Sequence, residues 1–66
     1  MKELLLKKEV YSLKTIDEAI DAYVDYAKME VADCGDYVRI RFSKCRYDET
    51  RTVKEFENYV IGLENS

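Results

Sequence analysis

Few side chains in this chain can do chemistry, and their spacing argues against a reaction centre. The sulfur ligands are Cys34 and Cys45, eleven positions apart, and there is no histidine. A structural zinc site draws on four Cys or His ligands in closely spaced pairs, so no intrachain zinc site is expected. Asp17, Asp21 and Asp25 recur at i, i+4 and i+8, which puts three carboxylates on one side of a helix. Such a row is ordinarily a solubilising face, because carboxylates that act on substrates sit in pockets that desolvate them. No nucleophile stands near a base, and no glycine-rich loop is available to cradle phosphate. The expectation is a non-enzymatic protein with no catalytic residues and no cofactor.

What remains is recognition chemistry. The chain has six Tyr, and its third apolar-alternating stretch interleaves Tyr37, Arg39 and Arg41 with Val38, Ile40 and Phe42. Aromatic and Arg side chains dominate protein interfaces, because they combine large contact area with a polar handle. A guanidinium also holds a carboxylate through two parallel hydrogen bonds. Tyr37, Arg39 and Arg41, with Tyr11, are therefore candidate partner-binding residues. A plain solvated face with cross-strand charge pairs is the other reading of the same residues.

Composition bounds the class. With 66 residues the chain closes one core, so 1–66 reads as a single small domain near the lower limit for folding alone. An apolar fraction of 47%, six Tyr and no Pro argue against disorder. A core this small supplies roughly 3–5 kcal/mol, and many such domains gain the rest from a partner or a second copy, so a homodimer is a standing possibility. The net charge of −3 counts against a nucleic-acid binder, which neutralises phosphates with a basic surface. The apolar run Leu4-Leu5-Leu6 is shorter than the roughly 7–15 residues of a signal-peptide core, and no stretch approaches the roughly 20 that cross a bilayer. A cytoplasmic protein with no membrane association is expected.

The elements that must position these residues follow from periodicity. Glu3 to Tyr11 reads as a first strand, with Leu4, Leu6 and Val10 on one face and Leu5, Lys7, Glu9 and Tyr11 on the other. Thr15-x-x-Glu18 has the form of a capping box, and Ile16, Ala19, Ile20, Tyr23, Val24 and Ala27 then make one helical stripe. Residues 28–34 alternate as a second strand, and Asp33-Cys34-Gly35-Asp36 is turn chemistry. Residues 37–42 form a third strand, paired with the second as a hairpin. Thr52-x-x-Glu55 opens a second helix whose stripe is Val53, Phe56, Val60 and Leu63, with Tyr59 at its edge. The fold class is α+β in the order β-α-β-β-α, a mainly antiparallel three-stranded sheet with both helices on one face. Cys34 and Cys45 then lie at opposite ends of the third strand, too far apart for the Cα approach of about 7 Å that a disulfide requires.

One resemblance goes beyond these patterns. Tyr11-Ser12-Leu13 leading into Ile16-x-x-Ala19-x-x-x-Tyr23, the hairpin, and the closing Glu55-Phe56-Glu57-Asn58-Tyr59-Val60-Ile61-Gly62-Leu63-Glu64 resemble the HxsD-like small proteins of His-Xaa-Ser peptide systems. The resemblance covers nearly the whole chain; the family's Asp-Tyr and Leu-Arg-Glu ending is missing. It implies a non-catalytic accessory to radical-SAM enzymes that modify ribosomally made peptides, binding the maturase, the precursor peptide or both. Phe56, Asn58 and Tyr59 are the matching positions. Asn58 falls off the apolar stripe, which makes it a candidate for a specific hydrogen bond with a partner. The competing function is a phage-type inhibitor or antitoxin-like protein that binds and blocks its target.

Overall fold

The computed structural model describes residues 2–66. Strand β1 (Lys2–Lys7), helix α1 (Leu13–Tyr23), strands β2 (Lys28–Asp33) and β3 (Tyr37–Ser43) and helix α2 (Glu49–Glu64) follow in the expected β-α-β-β-α order. The sheet is antiparallel throughout, and β3 lies between the other two. That order follows from the links. A two-residue turn holds β2 beside β3, with Gly35 at φ +84° where a β-carbon would be strained, while α1 carries the chain from β1 across to the far edge.

Alternation along β3 sets the core. Val38, Ile40 and Phe42 are buried, as are Leu6 of β1, Ile16 and Ala19 of α1, Ala27, and Phe56 and Val60 of α2. Phe42 meets Phe56 edge-on at 5.3 Å between ring centroids, an arrangement worth roughly 0.5–1.5 kcal/mol beyond the area it buries. Helix α2 packs across β1 and β3 and against α1. The two helices are also tied end to end, because the Glu64 carboxylate near the end of α2 accepts the Ser12 backbone N–H at 2.9 Å. This satisfies one of the free donors at the start of α1.

Several boundaries differ from the sequence expectation, each for a local reason. Strand β1 stops at Lys7 because Lys7 is opposite Tyr37, the first residue of β3; beyond it the chain turns, with Val10 and Tyr11 N–H groups bonded to the Lys7 carbonyl. Val10 is consequently 56% exposed instead of inward. Tyr11 lies off the strand and packs against the core, not on the sheet's open face. Helix α1 starts a turn earlier than the Thr15 box implies: Ser12 is the N-cap and its Oγ accepts the Thr15 N–H at 3.2 Å. In α2 Asp48 caps, accepting the Arg51 N–H at 2.9 Å. Thr15 and Thr52 are instead buried, and Thr52 Oγ1 donates to the Asp48 carbonyl at 2.8 Å. Helix α1 ends at Tyr23, leaving Val24 as an exposed C-cap, while Ala27 is buried beyond a turn. Cys34 and Cys45 are free thiols, both partly buried.

Candidate functional site

Both helices lie on one side of the sheet, so the other side has no covering layer. Pairing register arranges it in cross-strand rows. One row is Glu3, Arg41 and Glu30; the next is Leu5, Arg39 and Ala32; a third pairs Lys7 with Tyr37. Lys28 stands opposite Ser43 at the corner. Sequence alternation sets which residues of β3 occupy this face, since every second residue is buried and the intervening ones must point away.

The three central residues have different electrostatic states. Arg41 is engaged within the chain, its Nε donating to Glu3 Oε2 at 2.9 Å with Glu30 opposite on its other side. Arg39 has no such counter-ion: its Nε is buried and has no hydrogen-bond partner among the described residues, and its row neighbours are the 53% exposed Leu5 and the small Ala32. Tyr37 is 36% exposed at the end of the face. The surface thus centres on an uncompensated guanidinium beside aliphatic and aromatic surface.

Charge is segregated between the two sides. The open face carries Lys7, Lys28, Arg39 and Arg41 against Glu3 and Glu30. The rest of the chain then holds seven cations against twelve acids, including Asp17, Glu18 and Asp21 on α1 and Glu55 and Glu57 on α2. A chain that is acidic overall therefore presents a cationic sheet surface, a distinction that net charge conceals.

Of the residues singled out in the sequence, Tyr37, Arg39 and Arg41 come together here. Tyr11 does not join them, and Asn58 is exposed on α2, in the layer on the other side of the sheet. The sequence reading missed a tyrosine cluster at the α1–α2 junction. Tyr23 packs against Phe56, Tyr26 and Tyr59 at 5.4–5.6 Å, and Tyr26 reaches Tyr47 at 6.3 Å. They border an open groove of about 510 Å³ with Glu55 on its wall. The i, i+3 spacing of Tyr23 and Tyr26 was the available signal, obscured because α1 was expected to continue past both. The rings pack on one another and Glu55 pairs with Arg51 at 2.9 Å, so this cluster extends the core outward. Burial and the nearby Glu55 charge push the Tyr23 hydroxyl above the usual tyrosine range.

Other titratable groups answer to local structure. The Lys8 ammonium, bonded to Asp33 at 2.7 Å, and the Gly35 N–H at 3.0 Å hold Asp33 below the usual carboxylate range and tie the turn after β1 to the hairpin. Burial, then the Glu49 charge, push the Cys45 thiol up, which lowers its reactivity. No group of three His, Cys, Asp or Glu among the described residues is placed to hold a metal ion, and no helix among them is long and apolar enough to cross a membrane. No family model matches the chain, and no curated protein or solved structure matches it.

Proposed function

We propose that this chain is a non-catalytic binding module whose open sheet face docks an acidic segment of a partner protein or peptide. The observation that carries the reading is Arg39: a guanidinium with a buried, unpartnered Nε at the centre of an uncovered face. A carboxylate from a partner gives this guanidinium, which forms no ion pair with the described residues, its counter-ion, and charge-assisted bonds of this kind are among the stronger ones in proteins. Leu5, Ala32 and Tyr37 surround it with the apolar and aromatic surface that excludes water from an interface centre. In keeping with the resemblance to HxsD-like proteins, the partner is a radical-SAM maturase or its precursor peptide, and this chain is the accessory that brings them together.

The test is co-purification from cells that contain the genomic neighbours, with parent protein and an Arg39→Glu variant. Arg39 is partly buried and lies on the sheet face away from the helices, so the variant is expected to keep the parent's circular dichroism and melting point. Loss of the partner with the fold intact supports the reading. A folded variant that retains every partner contradicts it, and a captured toxin or phage target identifies the inhibitor function instead.

A further inference from the structure

The second surface is the free edge of β2, and it goes beyond the open-face reading without depending on it. In the hairpin the Cys34 N–H donates to the Tyr37 carbonyl at 2.9 Å, which makes Cys34 and Tyr37 a hydrogen-bonded pair. Such pairs alternate along an antiparallel ladder. With Asp33 opposite Val38 and Val31 opposite Ile40, the backbone groups of Glu30 and Ala32 therefore point into β3. Those of Met29, Val31 and Asp33 point away from it, at an edge where β2 has no neighbouring strand.

The helix-facing side of this edge is also unfinished. Val31 shares its row with Ile40, which is fully buried, yet is 50% exposed. Leu13 of α1 is 54% exposed, and a cleft of about 210 Å³ lies between them, bounded also by Ile16, Asp17, Asp33 and Val38. An unpaired strand edge bordered by uncovered aliphatic surface is a template for strand addition. Natural edges are blunted by proline, bulges or charge; β2 is KMEVAD, with no proline, and its one helix-side charge, Asp33, is already bonded to Lys8, which leaves Val31 at the centre of the outward-bonding side.

We infer that a second copy of the chain pairs here, β2 against β2 in antiparallel fashion about a two-fold axis at Val31. This register is singled out by chemistry. Val31 faces its own copy and Met29 faces Asp33 of the other chain, so every outward-pointing backbone group of these three residues is used, giving on the order of six interchain bonds. Glu30 falls opposite Ala32. Shifting the axis to Glu30 sets two like charges directly opposite, which destabilises strand pairs, and leaves Asp33 unmatched. Pairing at Val31 gives an isologous, closed dimer with a continuous six-stranded sheet and covers the exposed valines.

Sedimentation equilibrium of the parent tests the inference, with Val31→Pro as the informative variant. Val31 does not donate to β3, so proline there spares the intrachain ladder while removing an interchain donor at the axis. The parent is expected to sediment at about twice the chain mass and Val31→Pro at the chain mass with unchanged circular dichroism. A second variant, Val31→Cys with Cys34→Ser and Cys45→Ser, is expected to form a covalent dimer with a short bifunctional thiol reagent, because facing residues of a hydrogen-bonded pair lie about 5.5 Å apart at Cα. A parent that remains monomeric at high concentration, a Val31→Pro protein that still dimerises, or a dimer that fails to cross-link at residue 31 overturns it.

Discussion

The two faces of the sheet are built from alternate residues of the same strands and serve opposite ends. On the helix side Leu6, Val38, Ile40 and Phe42 are at most 4% exposed and pack on α2 and α1. On the other side their immediate chain neighbours Leu5, Tyr37, Arg39 and Arg41 form a cationic surface with nothing over it. Stability is concentrated on one face, and the other carries no helix packing. A substitution's effect should therefore depend on the parity of its position more than on its place along the strand.

The largest expected effect comes from the buried face. Ile40→Ala opens a cavity at a site with no exposure and should cost about 2–5 kcal/mol, most of what a core this small provides. Loss of the cooperative thermal transition, followed by circular dichroism, is the expected result; a parent-like melting point breaks the comparison. Next in size is the helix layer's anchorage. Asp48→Ala removes the cap of α2 and should cost about 1 kcal/mol, whereas Glu55→Ala, the residue a Thr52 box would use, should cost less because its Arg51 pairing is an exposed one. Chemical denaturation of the two variants ranks them.

The tie between the helices has a pH signature. The Ser12 N–H, first, holds the Glu64 carboxyl below its ordinary value of 4.5. A carboxyl whose folded value is depressed contributes stability that is fully present above its unfolded value and is lost as pH falls through the lowered folded value. Stability should therefore decline from about pH 4.5 downward, and Glu64→Gln should make that decline shallower. An unchanged pH profile in the variant removes the helix-to-helix tie from the account. Smallest of all should be Tyr37→Ser, Arg39→Ser and Arg41→Ser, each within about 0.5 kcal/mol of the parent in stability, despite standing next to Val38, Ile40 and Phe42 in the chain.

How much of this was legible in the sequence depended on which signal governed each residue. Period-two alternation in β3 and the 3.6-residue stripe through Ile16, Ala19, Phe56 and Val60 gave the element order, the core and the clustering of Tyr37, Arg39 and Arg41. Where an element stops was set elsewhere. Strand β1 had a run long enough to include Val10 and Tyr11, but β3 begins at Tyr37 and offered them no partner. Thr15 and Thr52 carried the capping-box pattern, yet each sits four residues before an inward Ala19 or Phe56, so it is the first buried residue of its helix and the cap falls at Ser12 or Asp48. The pairing of Arg41 with Glu3, which leaves Arg39 alone, depends on strand order and register, neither of which a single sequence displays.

The central claim is that recognition occupies the open face, and it is tested most directly by mapping backbone amide chemical shifts of the isotope-labelled protein as the co-purified partner is added. The largest perturbations are expected at Leu5, Tyr37, Arg39 and Arg41, with the amides of α1 and α2 little changed. Perturbations confined to the tyrosine groove at Tyr26, Tyr47 and Tyr59 or to Asn58, with the open face silent, would contradict it.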